Sequence, residues 1–221
     1  MQTVILLALA TVVNLQPAPA RVQAVQDPPV KVFILAGQSN MEGQAVVDLK
    51  GVDYNEGKGT LQALLDDPSK KAMVAHLRQS DGSWTVRNDV WVRYQRENAP
   101  LLMGPLGLGF SVYGDQHHFG PELQFGHVIG NQVSNPVLLI KAAWGGKSLY
   151  QDFRPPSSGG QVGKFYTLMV KEVREALANM GSEFPALKGK RYELAGTAFS
   201  VIVPAIVSFP GIFNNTSAKV L

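Results

Sequence analysis

The chain has no cysteine among its 221 residues. Disulfides, zinc–thiolate centres and cysteine nucleophiles are therefore excluded, although this absence does not select a compartment. Charge is also scarce: 17% of residues are charged and the formal net charge is +3. Lys and Arg are scattered rather than massed in a stripe, so the sequence carries no electrostatic footprint for nucleic acid. With 45% hydrophobic residues the chain can bury a core, and its length accommodates one domain of ordinary size. The 22 glycines and 14 prolines suit many loops between short elements.

The apolar run Val4 to Leu15 is too short to span a bilayer as a helix. Small residues follow it at Ala18 and Ala20, and Val22-Gln23-Ala24 offers a second cleavage site. Residues 1–24 are thus expected to be a signal peptide, and the rest secreted or periplasmic, without membrane contact once the leader is removed. The run lacks Lys and Arg. Its other reading is a buried N-terminal strand or helix.

Beyond Asp27-Pro28-Pro29, the run Val30 to Ala36 is almost wholly apolar and bounded by Gly37. It predicts a short strand buried on both faces, as in a parallel sheet. Val137 to Trp144, closed by Gly145-Gly146, predicts a second. Arg191 to Gly196 begins a third. Leu61 to Leu77 reads as helix interrupted at Asp66-Asp67-Pro68. Trp84 to Arg96 reads as strand, with Asn88-Asp89 as a turn. Leu101 to Gly120 reads as a long glycine-rich loop. Pro121 suits the first turn of a helix over Glu122 to Gln132. Lys164 to Met180 is the clearest helix, with Phe165, Leu168, Met169, Val173, Ala176, Leu177 and Met180 at three and four spacing. Lys171, Glu172, Arg174 and Glu175 lie mainly to its other side, and Gly181 ends it.

Strands separated by helices predict an α/β fold of three layers with a mainly parallel, doubly wound sheet. Ligands in such folds sit beyond the carboxyl ends of the strands. Gly37-Gln38-Ser39-Asn40 and Gly145-Gly146 each follow a strand directly. Both belong on that edge, the expected active site, where Gln38, Asn40, Gly145 and Gly146 are candidate substrate-binding positions. Ser39, on a Gly-led turn into a helix start, can project from the edge as a nucleophile. The pattern G-x-S-x-G fails because Met41 takes its last position. The plainer reading of Ser39 is a cap on the next helix.

The stretch Val32-Phe33-Ile34-Leu35-Ala36-Gly37-Gln38-Ser39-Asn40-Met41-Glu42-Gly43 resembles the first block of the SGNH hydrolases. The match is to the sialate O-acetylesterase-like branch that includes carbohydrate esterase family six. Phe119-Gly120-Pro121-Glu122 resembles the second block, and Lys141 to Leu149 the strand-and-diglycine segment. Asp152-Phe153-Arg154-Pro155-Pro156 continues the likeness. The resemblance implies a flavodoxin-like sheet of SGNH-hydrolase type over residues 30–196, incomplete at its C-terminus. It further implies hydrolysis of acetyl esters, often on sugars, so that the partner is an acetylated carbohydrate. No metal or organic cofactor is implied. Ser39 becomes the nucleophile, and Gly120 a backbone donor to the oxyanion hole beside the N–H of Ser39.

The likeness stops after Gly196. The family continues into a Trp-x-Gln-Gly segment and later an Asp-x-x-His that supplies the general base. Here residues 197–221 hold no Trp, Gln, His, Asp or Glu, and no histidine follows His127. The expectation is a divergent tail and a truncated enzyme. One lost oxyanion donor costs about 10²–10³ in rate, and a lost base leaves roughly 10³–10⁴ over water. Asn214 and Asn215 lie in glycosylation sequons, frequent by chance.

His117 and His118 precede Gly120 and read as a loop pair shaping the pocket rather than a substitute base. With Asp115 they lack a fourth metal ligand. His76 and His127 read as surface or packed residues. Gly146-Lys147-Ser148 imitates the end of a phosphate-binding loop, but the required earlier glycine is Lys141. The phosphate-binding loop is rejected on that ground, which disfavours a third reading as a phosphate- or nucleotide-binding α/β protein. A non-catalytic carbohydrate-binding remnant of the same fold is the alternative to an esterase. Trp84, Trp91 and Trp144 read as core aromatics rather than sugar platforms.

Overall fold

Residues 27–200, with the backbone of residues 206–208, are described by a computed structural model. The leader at residues 1–24 and the two sequons lie outside the described residues. In chain order the elements are β1 (Val30–Gly37), α1 (Ser39–Glu42), β2 (Ala45–Val46), α2 (Leu61–Asp66) and α3 (Lys71–Val74). Then follow β3 (Arg87–Tyr94), β4 (Leu102–Leu106), β5 (His118–Phe119), α4 (Pro121–Gln132) and β6 (Val137–Ala143). The last are α5 (Lys164–Glu183), β7 (Tyr192–Ser200) and β8 (Ile206–Ser208).

The main sheet has the order β4-β3-β6-β1-β7-β8. β3, β6, β1 and β7 run parallel, and β4 and β8 close the edges antiparallel. The apolar run of β1 is used on both faces. Phe33 and Leu35 pack with Val92, Leu139 and the α4 residues Phe125 and Ile129. Val30 and Val32 pack with Leu138, Ile140 and the α5 residues Val173, Ala176 and Met180. Helices on opposite faces of a mainly parallel sheet make the three expected layers. Each such buried Val, Leu or Ile contributes about 1.5–3 kcal/mol.

Several local expectations change. Asn88-Asp89 is not a turn but lies inside β3, where Asp89 accepts from Arg87 at 2.6 Å and the pairing with β4 shifts register. The expected loop over residues 101–120 contains β4 and β5. β4 is an edge strand, so it tolerates Gly104 and Pro105. Gly181 does not end α5, which runs on to Glu183 because that carboxylate accepts from Arg93 Nε at 2.7 Å. Glu172 turns inward to the same Arg93. β7 passes Gly196 and reaches Ser200, so residues 197–200 of the divergent tail complete a strand.

Candidate active site

The sheet brings three sequence blocks to one edge. Gly37 at the end of β1 is level with Ala143 of β6 and Ser200 of β7. Beyond it, Trp144 N–H donates to the Gly37 carbonyl at 3.0 Å, and Gln38 N–H donates to the Ser200 carbonyl at 3.0 Å. Ser39 therefore emerges between two strand ends, as the sheet-edge argument predicts. It opens the single turn of α1, which is closed by Glu42 N–H to the Gln38 carbonyl at 2.9 Å and Gly43 N–H to the Ser39 carbonyl at 3.1 Å. Ser39 is half-buried and Asn40 exposed. Among the described residues the Ser39 hydroxyl has no hydrogen-bond partner, and Gln38, the helix cap, makes no side-chain cap bond. A capping role for Ser39 is therefore not realised.

Gly120 lies against this turn. A Cβ built on Gly43 would stand 2.8 Å from Gly120 N. The Gly120 amide is bonded to a carboxylate, donating to Glu122 Oε1 at 2.9 Å. The group assigned to the oxyanion hole by resemblance thus already has an acceptor. Gly145 N–H similarly donates to Glu42 Oε1 at 2.9 Å, whereas Gly146 is exposed.

Three residues to which sequence reading gave no role, Lys141, Glu122 and Glu42, hold this edge together. Lys141 is 1% exposed, in a strand of otherwise apolar side chains. Its ammonium donates to Glu122 Oε2 at 2.7 Å, the Phe110 carbonyl at 2.7 Å and the Glu42 carbonyl at 3.0 Å. It also stands 4.7 Å from the Tyr94 ring centroid. Burial pulls Lys141 below its ordinary pKa, against the opposing pull of Glu122. Burial likewise raises the Glu42 carboxyl, against the Gly145 amide and Lys141. The signal was present in the sequence as a lysine among buried apolar neighbours, which must find a partner.

The histidines do not reach Ser39 by any hydrogen bond. β2 and β5 pair antiparallel, with Val46 opposite His118. There His117 Nδ1 meets Asp48 Oδ1 at 2.7 Å, and His118 Nδ1 meets both Asp115 oxygens at 3.0 Å. His118 lies under the Tyr113 ring at 4.0 Å. Among the described residues no group of three or more His, Asp and Glu converges as for a metal. Trp144 packs with Phe153 and Phe165, and Lys147 rests over Phe165, while Gly146 and Ser148 are exposed. A cleft of about 590 Å³ lies beside the end of β7, lined by Leu149, Tyr150, Phe153, Tyr166 and Phe199 among others.

A mainly parallel α/β sheet with helices on both faces and Ser39 at its carboxyl edge has the arrangement of an SGNH-type fold. The family model for carbohydrate esterases described as sialic acid-specific acetylesterases matches residues 29–189, and the chain belongs to that family. No curated protein matches the chain. Among solved structures, a protein from Arabidopsis thaliana is 17% identical with a TM-score of 0.41, over 78% of this chain and 57% of that one. A carbohydrate acetylesterase from Xanthomonas citri is 12% identical with a TM-score of 0.36, over 76% of this chain and 31% of that one. The chain thus spans under two thirds of either structure.

Proposed function

We propose that the chain is a serine hydrolase of carbohydrate acetyl esters, of the sialate or acetylxylan type, with Ser39 as nucleophile. The observation that carries this reading is the Ser39 hydroxyl, unpartnered among the described residues, between the ends of β6 and β7 and beside the Gly43–Gly120 contact. Ser39 Oγ attacks the acetyl carbonyl, its proton passing to a base, and the carbonyl oxygen becomes an oxyanion. Collapse expels the sugar hydroxyl and leaves an acetyl-serine, which water hydrolyses to acetate. The N–H groups of Ser39 and Gly120 receive the oxyanion, the second shared with Glu122 Oε1. Gln38, Asn40, Gly145 and Gly146 flank the acetyl group, and the exposed ring of Tyr150 offers a face for a sugar. With no histidine bonded to Ser39 among the described residues, turnover by this chain is slow.

The absent histidine contact also favours a second reading, a carbohydrate-binding remnant that keeps the pocket without the base. Acetate release from acetylated sugars, compared between the chain and Ser39→Ala, separates the two. Turnover lost in Ser39→Ala supports the esterase; sugar binding with equal, background release in both sinks it. The leader pattern further supports export, and a mature N-terminus at Arg21 or Val25 is the expected result of sequencing the exported protein.

A further inference from the structure

We infer that Lys141 and Glu122 are positioning residues for the Ser39 edge, acting through the Gly120 amide and the Glu42 carbonyl. This rests on the reading of Ser39 as nucleophile.

Lys141 shares its sheet face with Leu139 and Ala143, both in the apolar core beneath α4. An ammonium in that position is costly to desolvate, and an apolar side chain of similar volume often serves stability as well or better. Lysine does what methionine cannot: its three N–H donors are all spent, each on a different segment. One reaches the carbonyl that ends the nucleophile turn, Glu42, at 3.0 Å. The second reaches Phe110 in the segment after β4 at 2.7 Å. The third fixes Glu122 Oε2 at 2.7 Å, while the other oxygen of the same carboxylate holds the Gly120 amide at 2.9 Å.

The two paths close on each other. Glu42 precedes Gly43, and Gly43 packs on Gly120. Moving the ammonium therefore shifts both walls of the Ser39 turn at once. Glu122 and Lys141 are each 1% exposed, so they act through the backbone groups they hold.

The test uses the full chain as wild type, Lys141→Met and the double variant Lys141→Met/Glu122→Gln. Amide hydrogen exchange is read by NMR and turnover with p-nitrophenyl acetate. In Lys141→Met the Gly43 and Gly120 amides are expected to exchange at least about 10-fold faster, with Val173 and Ala176 of α5 unchanged. The kcat is expected to fall about 10- to 100-fold with little change in KM, as misplacement of reacting groups does. The double variant removes both charges of the Lys141–Glu122 pair and leaves Glu42 on the Gly145 amide, and the carboxamide introduced by Glu122→Gln still accepts from the Gly120 amide. It is expected to regain Gly120 protection and only part of kcat, because the Glu42 and Phe110 carbonyls still lack their donor. Unchanged exchange at Gly43 and Gly120 in Lys141→Met overturns the inference. Uniform acceleration that includes α5 in both variants does so too, by showing a merely structural role. If Lys141→Met does not fold, the double variant decides by the Gly43 amide: faster exchange there with α5 unchanged supports the inference, and wild-type exchange overturns it. A wild type without Ser39-dependent turnover removes the nucleophile reading, while the exchange data still decide the positioning.

Discussion

Gly43 and Gly120 meet backbone to backbone. A side chain on Gly43 would place its Cβ 2.8 Å from Gly120 N and 3.0 Å from Gly120 Cα, and Gly43 adopts φ +93°. Strain and overlap therefore act together. Gly43→Ala is expected to destabilise the fold by about 1–3 kcal/mol, read as a lower urea midpoint. It should also slow acetyl-ester turnover beyond what the lost folded fraction explains. A variant as stable and active as wild type would show that this contact is slack.

His127 gives the fold a pH dependence. It is 3% exposed, its Nε2 has no partner among the described residues, and the His76 ring lies 5.2 Å away. Burial, then His76 and Arg87, lower its pKa from 6.5 to about 4. Between those values the unfolded chain binds a proton that the folded chain refuses. Stability from this residue is complete above about pH 6.5, declines as pH falls, and levels off below about pH 4, a total of roughly 3 kcal/mol. Urea midpoints from pH 7 to pH 4 should fall less steeply in His127→Leu; parallel curves refute the assignment.

Arg93 joins β3 to α5. It is 5% exposed and donates to Glu183 at 2.7 and 3.2 Å and to Glu172 at 3.3 Å. Arg93→Met abandons two carboxylates in a largely buried place and should cost about 3–5 kcal/mol. Adding Glu172→Gln and Glu183→Gln should return most of that loss. Denaturant titration of the set measures it, and an undiminished deficit in the triple variant would point to packing instead of charge.

Imidazole in solution should raise the acetyl-ester hydrolysis rate of the chain by about 10-fold more than that of Ser39→Ala, by supplying a general base. Equal stimulation of both proteins would mean that Ser39 is not waiting for a base.

The parts of the fold legible in the sequence were those where one physical rule dominates. β1 and β6 are continuous apolar runs, and the stripe from Phe165 to Met180 leaves α5 no other face to bury. Their common edge, and with it the place of Ser39, followed from topology alone. Missed features depend on partners distant in the chain. Gly181 looks like a helix end until Glu183 finds Arg93 across the sheet. Glu122 and Glu42 read only as members of two separate sequence blocks until Lys141 is placed between them. That the Gly120 amide already serves Glu122 is invisible to spacing, because it is a matter of rotamer.

The link from Glu42 to Lys141 spans 99 residues. The loop with the serine therefore leaves the ribosome well before the amine that fastens it, and β6 must be made and docked first. Assembly of the reactive edge is consequently a late, high-contact-order event. Nascent chains halted ahead of residue 141 should carry the serine on a turn that has not yet acquired its shape.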